Sequence, residues 1–404
     1  MPSSSTFLRG RRFLVGALCL VLALAGAAPT GVSGAETLPD GPWGLVTVTP
    51  LPLTPPSSVA ARLRPPRAST WELQGPDLAA IDHILAAGGL SGEQRETVLA
   101  LGAFDPARPG RWTVTPPDAL RWSLTPAQRR QLYHELARFE GNPSFILPGV
   151  LPASPAAWGA ADLNPELHYA LDRLSFPRRG MRCLADGDLL TPFIRDEAEH
   201  QRLLRLLTTI PAVKLELTRA SLERRATVAA YWQLPGGRSA DAVLAWFDAF
   251  PDVETIDVVQ LLPPRSRAMI NTYAAPRGDG LLSNCFWTAL NFNQPATDDR
   301  LLARGTSDDT CGVLAAEILA RDFEEVSPPY HYGDVLALLL DVGGQTLLEH
   351  TMVHVAGDIV LTKNGYTAAQ PYVFMRRADL DRAYPYPRAL RLVGYRRRAD
   401  PPAP

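Results

Sequence analysis

Apolar and polar positions follow a helical period in the first half of the chain and an alternating one near its end. From Asp77, the apolar residues Leu78, Ile81, Ile84 and Leu85 recur at helical spacing and stop at Gly88-Gly89. Ser91 with Gln94 forms a capping-box signal for a second helix through about Leu101. Thr125-Pro126 with Gln128 repeats the signal, and Leu132, Leu136 and Phe139 supply the apolar stripe. Pro126 falls where a missing amide hydrogen costs nothing. Residues 76–150 therefore read as a small helical unit, with Pro143 to Pro155 as a linker or irregular packing segment. Residues 36–75 are rich in Pro, Thr and Ser and read as an exposed, extended lead-in.

Between 151 and 265 the two periods mix. Leu167 to Leu174, Glu197 to Leu207 and Ala240 to Phe250 read as helices, and Val213 to Thr218 as a half-buried strand. Val228 to Trp232 reads as another strand that ends at Pro235-Gly236-Gly237, and Ile256 to Val259 as strand or extended chain. Nothing in this region places a catalytic group. From 266 to 395 the order becomes helix, then sheet. Cys285 to Phe292 and Thr310 to Arg321 are the expected helices; Asp334 to Leu340, Thr346 to Ala356, Ile359 to Thr362 and Tyr372 to Met375 are the expected strands. The turns Gly343-Gly344 and Gly357-Asp358 make an antiparallel meander the simple arrangement. The expected class is α+β, with a helix-borne cysteine packed on an antiparallel sheet.

Composition narrows the possibilities. The chain has 404 residues, 46% of them hydrophobic, and a formal net charge of -2, which suits a globular protein of two or three domains. That balance gives no reason to expect nucleic acid as a partner. Arg9, Arg11 and Arg12 precede an apolar stretch from Phe13 to Ala28, so residues 1–35 read as an export signal, cleaved after Ala35 or Ala27. Arg11-Arg12-Phe13-Leu14 resembles a twin-arginine export motif, and Cys19 inside the apolar run is a poor lipid-attachment site. The expected location is periplasmic or extracellular, with no stable membrane insertion once the signal is removed.

Removing that segment leaves Cys183, Cys285 and Cys311. An odd count leaves one thiol free unless it pairs between chains. The economical arrangement has Cys285 free, with Cys183 and Cys311 either bonded to each other or buried as thiols. Seven histidines without a Cys-x-x-Cys or His-Glu-x-x-His pattern give no metal signature, and no cofactor is expected.

The candidate chemistry centres on Cys285. A cysteine in the first turn of a helix lies near unpaired amide donors and the positive end of the dipole, which favours thiolate. A nearby imidazole would complete the activation. The plainer alternative is a buried structural thiol packed among Phe286, Trp287 and Leu290. His350, Met352 and His354 share strand parity, but four residues of strand separate the two imidazoles by roughly 13 Å, so only one can serve Cys285. His354 becomes the candidate if the strand register differs.

Three segments together carry a resemblance: Asn284-Cys285-Phe286-Trp287-Thr288-Ala289 at a helix start, Gly333-Asp334-Val335-Leu336 opening a strand, and His350 to Gly365. Their order and spacing, over roughly 270 to 375, resemble the NlpC/P60 type of papain-like cysteine hydrolase. In that family an Asp-Cys-Ser-Gly helix start supplies the nucleophile and a His-x-Gly-Ile-Tyr strand the base. The resemblance implies Cys285 as nucleophile, His350 as base, Asn364 as the third, orienting residue and Tyr273 as a contributor to the oxyanion site. It also implies acyl transfer through a thiol acyl-enzyme, with a peptide or peptidoglycan-like substrate. This chain departs from the pattern with Asn284 for the usual Asp, Phe286-Trp287 for Ser-Gly and Thr351-Met352 for small residues. Tyr273 also suits plain packing, and Asn364-Gly365 suits a tight turn. Two other functions fit the same residues: a non-catalytic secreted or cell-envelope protein that uses such a scaffold for binding, and chemistry on a lipid or small acyl amide. An exposed Cys285 within about 4 Å of His350, opening into a groove, separates the first reading from the second; a closed pocket, or side chains pointing to different layers, would sink the first.

Overall fold

The computed structural model describes residues 35–60, 70–136, 138–139, 142, 150–151, 162–178, 181–234, 239–273, 283–294, 302, 308–342, 345–365, 370–383 and 390–398. All but the last residue of the expected export segment, the turns at 235–237 and 343–344, and most of the expected linker lie outside the described residues. The fold is mixed α+β, with helices interspersed among antiparallel sheets.

The chain opens with β1 (Glu36–Thr37) and β2 (Val46–Leu53). The expected exposed lead-in is thus a structural strand. Val46 and Val48 alternate with Thr47 and Thr49, and both valines are buried. Pro50 and Pro52 are tolerated because β1 pairs only with Thr47 and Val48, so among the described residues no strand pairs with the proline half of β2 on that side. After α1 (Ser57–Ala60), β3 (Trp71–Gln74) leads into α2 (Leu78–Ala87) and α3 (Gly92–Leu101). Gly89, at φ +81°, turns the chain between the two helices, and the Ser91/Gln94 capping box is formed. The region expected to be helical also carries a small sheet, in which β3 and β4 (Ala103–Phe104) flank β5 (Arg111–Val114). Next come α4 (Asp118–Ser123) and α5 (Pro126–Leu136), the latter with reciprocal Thr125 and Gln128 hydrogen bonds at its start.

A second small sheet contains β6 (Val150–Leu151), β7 (Ser175–Arg178) and β8 (Met181–Leu184), with α6 (Pro165–Leu174) preceding β7. Phe176, Cys183 and Ala185 join Trp71, Trp112, Tyr133 and their neighbours in one core. Inside it the Asp186 carboxylate accepts hydrogen bonds from Arg129 and, at 2.6 Å, from the Tyr133 hydroxyl.

After α7 (Glu197–Leu207), β9 (Ile210–Thr218) pairs along the whole of β2 and also with β10 (Thr255–Asp257), giving a four-stranded antiparallel sheet ordered β1-β2-β9-β10. Between β9 and β10 lie α8 (Arg225–Trp232) and α9 (Ala240–Ala249). The strand expected at Val228 to Trp232 is helical instead. Val228, Ala229 and Trp232 are buried at helical spacing, and the two alanines favour the helix.

The last third follows α10 (Pro264–Met269) with α11 (Cys285–Leu290) and α12 (Asp308–Asp322). The strands are β11 (Phe323–Val326), β12 (Val335–Val342), β13 (Gln345–Ala356), β14 (Ile359–Lys363) and β15 (Tyr372–Arg376); α13 (Arg377–Ala383) and β16 (Arg391–Arg397) end the described chain. They form one six-stranded antiparallel sheet, β11-β16-β12-β13-β14-β15. β12 to β15 are the expected meander, and β16 inserts between β11 and β12.

Alternation along this sheet separates two packed layers. Val335, Val353, Val355, Leu361 and Phe374 cluster with Trp287 and Leu290 of α11 and Ala315 and Leu319 of α12. Leu336, Leu338, Met352, Val360, Val373 and Met375 cluster instead with Ile210 and Ala212 of β9. The sheet is therefore buried on both faces, by helices on one side and by the end of β9 on the other.

Candidate active site

Asn284 starts α11 with its backbone extended, and its Oδ1 accepts the Trp287 amide at 3.0 Å. The other end of the same amide, Nδ2, donates to the Cys311 sulfur at 3.1 Å. A carboxylate at this position could cap the helix but has no hydrogen to give the thiol. Trp287 turns into the core, with the Arg265 guanidinium 5.2 Å from its ring centroid.

Cys285 is the first residue of α11 and is 5% exposed. The backbone amides of Thr351 and Phe286 face its sulfur. This contact follows from the β13–β14 ladder, whose last pair toward this end is Val353↔Leu361. Thr362 and Lys363 continue in β14 but pair only with β15, so Cys285 meets β13 where β14 has let go of it. Burial pushes the thiol up to about 12, with Cys311 adding to the rise; the two amides and the Lys363 charge act in the opposite direction. At neutral pH the group is a thiol.

His350 precedes Thr351 in the chain. Its side chain leaves β13 on the face shared by Leu338 and Met352, opposite the face covered by α11. There it is fully buried, and Nε2 lies 2.9 Å from Thr362 Oγ1. The Thr362 hydroxyl donates to Asn364 Oδ1 at 3.3 Å, and Asn364 Nδ2 donates to the Met375 sulfur at 3.7 Å. With the Thr362 hydrogen given to Asn364, Thr362 accepts from Nε2–H in the tautomer that leaves Nδ1 as the basic nitrogen. Burial lowers the His350 pKa to about 3, so the ring is neutral at pH 7.

Two expectations change. Thr362 lies at hydrogen-bond distance from His350 Nε2, and Asn364 acts one hydrogen bond further back. Asn364 is also not the left-handed member of the turn, since Gly365 takes that conformation at φ +73°. His354 sits at the other end of β13, where Nε2 is 3.4 Å from the Tyr231 hydroxyl and the ring is 5.9 Å from that of Tyr330. The Gly333-Asp334 motif has a structural use. Gly333 has φ +92°, and a side chain there would strike Leu234, while the Asp334 carboxylate takes two 2.8 Å hydrogen bonds from Arg396 of β16.

Tyr273 forms an isolated bridge with Pro371, beside β15. Its hydroxyl is buried without a hydrogen-bond partner among the described residues, and burial raises its pKa to about 12. The neighbouring Tyr372 hydroxyl is hydrogen-bonded to Ser283, two residues before Cys285.

Lys363 is the residue that sequence reasoning passed over. It is fully buried, its ammonium donates to the Gly365 carbonyl at 2.7 Å, and it lies 6.0 Å from the Tyr372 ring. The available signal was a lysine ending the otherwise apolar-led run Ile359-Val360-Leu361-Thr362 on the parity of Ile359 and Leu361.

Among the described residues, Cys183, Cys285 and Cys311 form no disulfide, and all three are buried, with Cys183 in the separate core around Trp112. Among the described residues, no group of three or more His, Cys, Asp or Glu is arranged to hold a metal ion, and no helix is long and apolar enough to cross a membrane. Compared with protein-family models, with curated proteins and with solved structures, the chain matches none of them.

Proposed function

We propose that this protein is an exported cysteine hydrolase that cleaves an amide or peptide bond through a thiol acyl-enzyme, on a papain-like arrangement of α11 against the sheet. The observation that carries this reading is the seating of the Cys285 sulfur against the Thr351 amide, one residue from a histidine whose tautomer is set by Thr362. In the proposed reaction the sulfur attacks the carbonyl carbon and its proton passes to His350 Nδ1, a step that requires the imidazole to reach the sulfur past the edge of β13 that β14 leaves open. The Cys285 amide and the unpartnered Tyr273 hydroxyl are the donors available to the resulting oxyanion. The leaving amine takes the proton back from the imidazole, and water then releases the acyl group. Peptides, including peptidoglycan stem peptides, are the substrate class that the family resemblance suggests.

One observation favours a second reading, a non-catalytic envelope protein that uses the scaffold for binding. Cys285 and His350 are both buried and both neutral at pH 7, and the His350 side chain leaves the sheet on the face opposite α11, so no thiolate–imidazolium pair is preformed. Alkylation by a peptide-directed electrophile separates the two. The intact protein is expected to label at Cys285 near neutral pH, Cys285→Ala to lose the label, and His350→Ala to label at least tenfold more slowly. Labelling no faster than that of an ordinary thiol, and indifferent to His350→Ala, supports the binding scaffold and removes the hydrolase.

A further inference from the structure

A cleft of about 390 Å³ lies between α12 and the sheet, and none of Cys285, His350, Thr362 and Asn364 lines it. Its volume is that of a small-ligand pocket. Strand alternation makes the floor apolar: Phe323 of β11, Leu339 of β12 and Leu348 of β13 meet Leu319 of α12 there, with Leu339 and Leu348 paired across the two strands. Ala316 and Ala320, one turn apart on α12, leave the space above it open.

The charges gather on the β11–β16 side. Glu325 and Tyr395 are a direct cross-strand pair, and both line the cleft. Arg398, just beyond β16, lines it too; its amide donates to the Asp322 carbonyl at 3.0 Å and its Nε to the Phe323 carbonyl at 3.1 Å, which holds the guanidinium beside Phe323. Among the described residues neither the Glu325 carboxylate nor the Arg398 guanidinium forms an ion pair. On the β12–β13 side the polar lining residue is Thr346, whose hydroxyl is already given to Asp341. Two unlike, unpaired charges beside an apolar floor suit a ligand that carries both charges and an apolar body. The spacing sets its length. Glu325 is two residues along β11 from Phe323, roughly 7 Å at the rise of a strand, and an extended chain of two residues also spans roughly 7 Å.

We infer that this cleft binds a free dipeptide with apolar side chains. Its ammonium meets Glu325, its carboxylate takes the paired donors of Arg398, and its side chains cover Leu339 and Leu348. The Tyr395 hydroxyl is the neutral group left for the peptide bond between the two charges. A longer peptide would hold its termini too far apart, and an acyl chain would leave Glu325 without a partner beside apolar surface. The site is separate from the Cys285 chemistry and stands without the hydrolase reading.

The test is isothermal titration of the full chain with Leu-Leu, N-acetyl-Leu-Leu, Leu-Leu amide, Gly-Gly and Leu-Gly-Gly-Leu, with decanoate as the acyl probe. Leu-Leu is expected to bind saturably at one site, and each of the others at least about tenfold more weakly, because each lacks a charge, the apolar body or the spacing. Glu325→Gln is expected to bind Leu-Leu and its N-acetyl form alike, and Arg398→Gln to bind Leu-Leu and its amide alike. Both side chains belong to exposed residues, so both variants are expected to fold. This exchange of discrimination places the ligand in the cleft, which binding at Cys285 would not produce. Absence of saturable binding overturns the inference, as do capped peptides that bind the wild type as tightly as Leu-Leu, or variants that discriminate as the wild type does. Decanoate binding that Arg398→Gln abolishes, with no affinity for Leu-Leu, assigns the cleft to a fatty acid and overturns it as well.

Discussion

In the proposed reaction Thr362 selects the nitrogen of His350 that accepts the proton. Replacing it with valine keeps the shape but removes the acceptor of the Nε2 hydrogen, so the ring loses its fixed tautomer and a buried donor is left unmet. Thr362→Val is expected to slow Cys285 alkylation about tenfold or more, and to cost about 1–3 kcal/mol in a denaturant titration. Unchanged alkylation would show that Thr362 does not set the base. The same buried groups set the pH limits of stability. His350 and His354 have folded pKa values lowered to about 3 and about 4, both mainly by burial. Below the ordinary histidine range the unfolded chain binds protons that the folded chain refuses. Their stabilising effect is thus complete above about pH 6.5 and is lost as the pH falls through the folded values, at up to about 1.4 kcal/mol per pH unit for each ring. Cys285 works in the opposite direction. Its pKa is raised to about 12, so its effect is complete below the ordinary thiol value of about 9 and is lost as the pH rises toward 12. Unfolding free energies measured across pH are expected to plateau between about pH 6.5 and 9, with a shallower acid limb in His350→Gln. An acid limb of unchanged slope in that variant would mean that His350 is not buried neutral.

At the scale of elements, α11 is a short helix that depends on its first residues. Asn284 both caps it and ties it to Cys311 in α12, so Asn284→Ala is expected to cost about 0.5–2 kcal/mol and to slow Cys285 alkylation by loosening the seat of the sulfur. Asn284→Asp separates the two roles, since it keeps the cap and removes the donor to Cys311; it is expected to retain most of the stability. Equal losses in both variants would place the effect outside the cap. The helix starts were legible because Ser91/Gln94, Thr125/Gln128 and Asn284 are local devices that work through the backbone within three residues. The meander was legible because Gly357 sits at φ +58° between two apolar strands. Two elements were not. The segment 225–232 contains a valine and aromatics that suit a strand, yet its burial against α9 follows the helical period, a tertiary preference that overrides propensity. β2 reads as a proline-rich lead-in, because its valines acquire a core only when β9, more than 150 residues later, pairs along it. Thr362 was missed for a related reason: its role depends on where the β13–β14 ladder ends, a register fact that no local motif encodes.

For the whole molecule, the site does not rest on the last third alone. The core that seats α11 is continuous across residue 265. Leu38, Val46 and Val48 from the first described segment, Leu215, Trp232 and Phe247 from the middle, and Trp287, Val353 and Phe374 from the last third belong to one cluster. On the opposite face of the six-stranded sheet, the layer that includes Met352 is closed by Ile210 and Ala212 of β9, and β9 is itself held by β2. A fragment of residues 266–395 would therefore expose apolar surface on both faces of its sheet. It is expected to lack a cooperative unfolding transition, to bind a hydrophobic dye, and to show Cys285 and Cys311 alkylating together at the rate of ordinary thiols. A chain of residues 35–398 is expected to unfold cooperatively and to keep Cys311 protected. The core around Trp71, Trp112 and Tyr133 is a separate cluster, so Trp112→Ala is expected to destabilise that part by about 3–5 kcal/mol while leaving Cys285 alkylation close to wild type. A cooperatively folded 266–395 fragment would instead mean that the last third holds its cysteine and histidine together without help from β2 and β9. Alkylation of Cys285 and Cys311 in the two chains decides between these outcomes directly, because it reports the seat of the sulfur whether or not a substrate is known.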